Sequence, residues 1–332
     1  SALGQMSLLQ RARPIDELLA DASLDPRLRA RLQHALEIRE FAARELGLPD
    51  NGSYTRYADL GRPFAVWSVF AAPELSMQLR QWCFPVAGCV SYRGYFDRDE
   101  AERYAATLRA EGWDVYVAGV PAYSTLGWFD DPVLNTFVNL PVAELARLVF
   151  HELAHQLVYV KGDSTFNESF ATAVEEAGVE RWLARLDDPA VESAYREFAR
   201  RRRAFVQLLA RHRQALEAVY AAGGSAQRMR EGKAAVFESL RSEYRELRRS
   251  WGGWAGYDRW FAGELGNAHL ASVATYHALV PAFRALLAGK GGDLPAFYAE
   301  GRALASLDAA ARQGRLQALA GAGALSARPR GD

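Results

Sequence analysis

The stretch Pro141-Val142-Ala143-Glu144-Leu145-Ala146-Arg147-Leu148-Val149-Phe150-His151-Glu152-Leu153-Ala154-His155-Gln156-Leu157-Val158-Tyr159-Val160 decides the reading of this chain. Its apolar residues Leu145, Leu148, Val149, Ala154 and Leu157 recur at helical spacing. They predict a helix from near Pro141 to about Val160. Lys161-Gly162-Asp163-Ser164 breaks that helix. From Asn167 the pattern is helical again, through Trp182 and Leu183.

On a helix, residues four apart lie on one face, so the imidazoles of His151 and His155 converge on one point. That point suits a tetrahedral zinc ion bound through neutral imidazole nitrogens. Glu152 borders the same face without competing for the metal, and can take a proton from water activated there. A catalytic zinc needs three protein ligands and one open position. Two helices joined by a short turn can fold back as a pair. This would bring Glu168, near the start of the second helix, over the two histidines. Glu175 and Glu176 are rivals for that place. Glu175, two turns beyond Glu168 on nearly the same face, reads better as the group that holds a ligand histidine by its other N–H. The competing reading makes the histidines a buried, hydrogen-bonded pair and Glu168 an acid favoured by the helix dipole.

Working outward, residues 14–48 read as helical, punctuated by Pro26 and Pro49. Phe64 to Phe70, stretches of Leu79 to Tyr92, and Asp114 to Val120 read as strands. Asp97 to Glu111 reads as a helix with acidic residues in its first turn. Residues 121–140 are rich in Gly, Pro, Asp and aromatics and read as a loop, with a short strand at Thr136 to Val138. Beyond Asn167 nearly everything to about residue 320 reads as helix. Strands are thus confined to the first half, an α+β layout. The expected organisation is an N-terminal helical segment over 1–50 and a catalytic region over 51–186. A helical region over 187–320 packs on it, and 321–332 form a flexible tail.

The bulk numbers exclude some classes. Among 332 residues, Lys plus Arg and Asp plus Glu balance at 40 each. The chain does not read as a nucleic-acid binder or a polybasic membrane protein. Arg200 to Arg203 reads as a solvated helix face. No G-x-S-x-G motif and no apolar run of membrane-spanning length is present. Cys83 and Cys89 flank a Pro- and Gly-containing turn. Either a small disulfide loop or two thiols on neighbouring strands is compatible with that spacing.

The segments His151 to Gln156 and Asn167-Glu168-Ser169-Phe170-Ala171 resemble the H-E-L-A-H-Q and N-E-x-F-A motifs of gluzincin aminopeptidases. The interval from His155 to Glu168 is shorter than in the best-known members. The combination is closer to a bacterial family described as zinc aminopeptidases. Gly88 to Phe96, Ala122 to Pro132, Asn267-Ala268, Tyr276 and Val280 to Phe283 also resemble that family. The resemblance implies a zincin-like small mixed sheet plus an active-site helix, followed by a large helical C-terminal half. It implies a peptide substrate and aminopeptidase action. It also implies a lipoprotein-type signal upstream of Ser1, hence a periplasmic or envelope-associated protein whose membrane attachment would come only through that segment.

Such a mechanism needs a hydrogen-bond donor for the oxyanion. Tyr276 is the first candidate, with Tyr123 and Tyr92 behind it. The stretch Tyr123 to Phe129 could offer a backbone edge to an extended peptide. Glu175, Asp130 and Asp131 are the acids available to hold a substrate amine. The aromatics Trp251, Trp254, Tyr257, Trp260 and Phe261 read as helix packing. The alternative function is a catalytically inactive or non-peptidase zincin-fold binding protein of the cell envelope. The intact Glu152 argues against it, because a structural zinc site needs no general base.

Overall fold

The computed structural model describes residues 8–84, 88–122, 124–277 and 279–326, without the side chains of 274–277 and 322–326. In chain order the first elements are β1 (Arg13–Pro14), α1 (Ile15–Ala20), α2 (Pro26–Arg44), β2 (Arg56–Ala58), β3 (Val66–Pro73), β4 (Trp82–Phe84), β5 (Gly88–Val90), β6 (Arg93–Tyr95), α3 (Arg98–Ala110), β7 (Trp113–Val120) and β8 (Val133–Leu134). Helices follow: α4 (Val142–Leu157), α5 (Ser164–Leu186), α6 (Pro189–Ala221), α7 (Ala226–Ser250), α8 (Asp258–Phe261), α9 (Asn267–His277), α10 (Val280–Gly289), α11 (Leu294–Ser306) and α12 (Ala309–Ser326). The architecture is mixed, with small sheets in the first half and helices thereafter. Among the described residues no helix is long and apolar enough to cross a membrane.

Local chemistry explains the boundaries. The helical pattern over 14–48 is broken at Asp21 to Asp25. There Asp25 caps α2 by accepting from the Leu28 N–H at 2.9 Å, and Pro26 opens the helix. Asp97 caps α3 in the same way through Glu100. The strand expected at Thr136 to Val138 is instead a turn, because the N–H groups of Phe137 and Val138 both bond back to the Leu134 carbonyl. Among the described residues of 121–140, Val133 and Leu134 pair as a strand, with β2.

The chain forms two compact units, neither continuous in sequence: Ser1–Val66 with Gly119–Glu192 and Tyr276–Asp332, and Trp67–Ala118 with Ser193–Thr275. The first unit holds the sheet β1-β2-β8, with β1 antiparallel and β8 parallel to β2. Its core is helical. Phe41 of α2 meets Phe150 of α4 and Trp182 of α5, and Phe170 of α5 stacks on Phe297 of α11 with centroids 5.3 Å apart. Such rings bury large apolar areas and fix the helix faces against each other.

The second unit holds most of the sheet β6-β3-β7, with β3 buried along nearly its whole length. It also holds the β4-β5 hairpin, where Cys83 and Cys89 stand opposite each other and are joined by a disulfide. The aromatics of the Trp251 to Phe261 segment pack as expected. Tyr257 stacks on Phe205 of α6, and Phe261 on Tyr244 of α7.

The second unit also explains Asn267-Ala268. Asn267 is fully buried. Its amide nitrogen faces the carbonyls of Pro73, Glu74 and Ser76, and its amide oxygen accepts from the Tyr220 hydroxyl at 2.8 Å. Asp114 of β7 accepts from the backbone N–H groups of Asn267 and Ala268 and from Lys233. It thereby caps α9. A side chain at Gly266 would strike the Asp114 carboxylate at 2.2 Å, so this approach requires glycine.

Candidate active site

The α4 helix is apolar on most of its surface, and its polar residues form a line. Glu144, Arg147, His151 and His155 are spaced three, four and four apart, which stacks them along one face. Glu152 and Gln156 flank that line. The helix ends where Val158 turns extended. The chain then reverses through Lys161 and Gly162 into α5.

Three side chains fix this reversal. Asp163 caps α5 by accepting from the Phe166 N–H at 3.0 Å, and is itself gripped by Arg312. Asn167, buried, accepts from the Val160 N–H at 2.7 Å and donates to the Val160 carbonyl at 2.9 Å. That pair of hydrogen bonds closes the connector as a strand pair would. It sets α5 against α4 one residue before Glu168. Further along, a Cβ at Gly178 would lie 2.7 Å from the Phe150 ring and 2.8 Å from Leu46, so the two helices approach closely only because Gly178 has no side chain.

The result is a convergence of ligand atoms. One nitrogen each from His151 and His155 and one carboxylate oxygen of Glu168 all lie within 4.8 Å of one another. His151 Nε2 stands 3.2 Å from Glu168 Oε2, and His155 Nε2 stands 3.7 Å from the same oxygen. The two rings are nearly perpendicular. On its far side His151 Nδ1 is 2.9 Å from Glu175 Oε2. Glu175 therefore occupies the second ring nitrogen and leaves Nε2 toward Glu168. Its rival Glu176 points elsewhere and pairs with Arg284.

Behind Glu175 stands Arg147, whose Nη1 donates to both Glu175 oxygens at 3.1 and 3.0 Å and whose Nε donates to Glu144 at 2.8 Å. Two carboxylates, of Glu144 and Glu175, thus share one guanidinium, while Glu168 and Glu152 lie beside the histidines with no guanidinium of their own among the described residues. Burying that many acids is costly unless cations accompany them. Two imidazole nitrogens, a carboxylate oxygen and surplus buried negative charge fit a divalent cation.

The protonation equilibria reflect this crowding. Burial opposes charge on His151, but its hydrogen bonds to Glu168 and Glu175 overcome that and raise it to about 10. Burial alone dominates at His155 and pushes it down to about 4. Burial also raises Glu152, to about 7, with the neighbouring acids Glu168, Asp131 and Glu175 adding to the rise. Glu168 is pushed up by burial, yet the two histidines hold it below its ordinary value. Among the described residues the buried Nδ1 of His155 has no hydrogen-bond partner, in contrast to that of His151.

A second set of contacts ties two loops to the C-terminal turns of α4. Gln156, directly after His155, accepts from Asn51 Nδ2 at 2.7 Å and donates to Ser53 Oγ at 3.2 Å. Ser53 Oγ also accepts from the Asp131 N–H, and Tyr54, buried and at φ 64°, donates its N–H to the Asp131 carbonyl. Asp131 is buried and accepts from the Thr125 N–H. Burial raises its carboxyl to about 6.

The acids considered for holding a substrate amine therefore separate. Glu175 is committed to Arg147 and His151, Asp131 is committed to Thr125, and Asp130 remains exposed over Gly52. Tyr123 lies outside the described residues, as does the side chain of Tyr276 on α9. Tyr92 packs against Phe70 in the second unit.

Sequence reasoning brings His151, His155, Glu168 and Glu175 together as the structure does. It misses Glu144, Arg147, Asn167 as a clamp, and the Gln156, Asn51 and Ser53 set. A signal for the first two is present: charged residues inside an otherwise apolar helix, one and two turns before His151 on its face. No signal in sequence links Asn51 to Gln156.

No curated protein and no solved structure matches the chain. The sequence model of a family described as "Putative aminopeptidase" matches residues 1–316, and the chain belongs to that family.

Proposed function

We propose that this protein is a zinc-dependent peptidase of the zincin kind that acts as an aminopeptidase. One observation carries the reading: His151, His155 and Glu168 turn their ligand atoms toward one point, with Glu152 beside it. Family membership supports the peptidase class.

In this reading His151, His155 and Glu168 hold the zinc. Zinc bound there supplies a Lewis acid that acidifies water and polarises a carbonyl. Glu152 accepts the proton of the attacking water and delivers it to the departing amine. Glu175 fixes the ring of His151, and Gln156 fixes the loops that border the end of the helix. Tyr276 and Tyr123 are the donors assigned to the oxyanion. The Tyr123 to Phe129 stretch is the edge offered to an extended peptide.

Changing Glu152 to Gln tests the assignment. The variant should bind zinc as the parent does and fail to cleave peptides. Equal cleavage by parent and variant would refute the mechanism. Aminoacyl amides set against N-blocked peptides separate aminopeptidase from endopeptidase action.

A further inference from the structure

We infer that Arg147 is a positioning residue for the metal site: acting through Glu175, it fixes the ring of His151 and so sets how tightly the ion is held. This rests on the zinc reading above and goes beyond the ligand set.

The geometry is a relay across two helices. Arg147 lies one turn before His151 on α4, and Glu175 lies two turns after Glu168 on α5. A single guanidinium nitrogen bridges both Glu175 oxygens, at 3.1 and 3.0 Å, while Glu175 Oε2 also faces His151 Nδ1 at 2.9 Å. A second guanidinium nitrogen is fixed to Glu144 at 2.8 Å, so the planar group is held at two points. Glu175 and Glu144 have side chains only 4% and 8% exposed, and Arg147 is 26% exposed.

A buried carboxylate with only an imidazole for company could rotate, or give way to a water. The guanidinium removes both options. It supplies the compensating charge that a buried carboxylate needs, and its rigid plane dictates where the carboxylate oxygens lie. With the carboxylate fixed as an acceptor, His151 carries its proton on Nδ1 and presents Nε2 to the ion. His155 has no such support among the described residues, since its buried Nδ1 lacks a partner. The ion's hold on the chain therefore depends unequally on the two histidines. Arg147 acts at the supported one.

A merely structural role, as a cross-link between α4 and α5, makes a different prediction. The separating measurement is zinc affinity of the full chain, read by competition with a chromophoric chelator. It is made for the parent, Arg147→Met, Arg147→Lys, Glu175→Gln and the double variant Arg147→Met with Glu175→Gln. Loss of an outer-shell partner typically weakens metal binding by about 10- to 100-fold. We expect that loss in Arg147→Met and a smaller one in Arg147→Lys, which keeps the charge without the planar fork. We expect the double variant to bind zinc as Glu175→Gln alone does, because Arg147 has nothing left to position.

If Arg147→Met is poorly folded, Arg147→Lys carries the same test. Zinc binding unchanged in the Arg147 variants, or effects of Arg147→Met and Glu175→Gln that multiply in full, would overturn the inference and leave the zinc reading standing. A parent chain that binds no zinc would overturn both.

Discussion

Each compact unit contains a buried polar cluster, and the two clusters are built to opposite ends. In the second unit, Asn267, Asp114, Lys233 and Tyr220 satisfy one another and the nearby backbone. The Asn267 amide nitrogen meets three carbonyls, its oxygen meets a hydroxyl, and Asp114 receives two backbone N–H groups and an ammonium. In the first unit, one nitrogen each of His151 and His155 and one carboxylate oxygen of Glu168 lie within 4.8 Å of one another, and the acids nearby outnumber the one guanidinium. A network that exists for stability uses its donors and acceptors internally. A site leaves electron pairs converging where a ligand can use them. Both clusters are buried, so burial does not distinguish them. The convergence of potential metal-ligand atoms does.

Substitutions in the two clusters should therefore have different consequences. The largest effect should come from Glu152→Gln: a loss of about a thousandfold in peptide cleavage, the scale of a general base, with zinc content unchanged. Steady-state kinetics beside metal analysis check it. The converse belongs to Asn267→Ala. It leaves the Tyr220 hydroxyl and several carbonyls without their partner. It should cost about 4 kcal/mol of stability while leaving zinc affinity intact, as read by denaturant unfolding and chelator competition. If Asn267→Ala instead lost zinc and kept its stability, the two clusters would have been assigned the wrong way round.

Asp131 stands between the two types, near the site but committed to loop contacts. Its carboxyl is raised to about 6 by burial. The native state therefore holds the proton more tightly than the unfolded chain. That contribution is fully present below the ordinary carboxylate range near pH 4, and is lost as pH rises through about 6. Asp131→Asn should remove the loss, flattening the stability profile over that window and adding up to about 3 kcal/mol at pH 7. Unfolding midpoints at several pH values for both chains decide it. An unchanged slope would mean that Asp131 is not protonated in the native state at low pH. The smallest effect is expected from Gly178→Ala, which forces a methyl between Phe150 and Leu46. About 2 kcal/mol is typical of such overpacking. Because α4 and α5 must separate to admit it, stability and zinc affinity should fall together in this variant.

How far the sequence reveals this depends on range. His151, His155 and Glu152 are legible because their geometry follows from one helix. Glu168 and Glu175 are legible because a short connector leaves α5 little choice but to return along α4. The helix start at Asp97 is legible for the same local reason, whereas the pattern opens the second helix at Asn167 and does not show Asp163 capping it ahead of Ser164. The strand expected at Thr136 fails because periodicity does not see the bonds of Phe137 and Val138 back to Leu134. The contact of Asn51 with Gln156 spans 105 residues, and that of Asn267 with Pro73 spans 194. No local pattern encodes such meetings.

The central claim is that two imidazoles and a carboxylate on α4 and α5 hold a metal ion. Equilibrium dialysis of the full chain against zinc, followed by elemental analysis, tests it most directly. One zinc ion per chain is expected for the parent, none for His151→Ala, and one for Asn267→Ala, whose lesion lies in the other cluster. A parent that emerges without zinc, or a His151→Ala variant that retains it, would mean that His151, His155 and Glu168 do not form a zinc site.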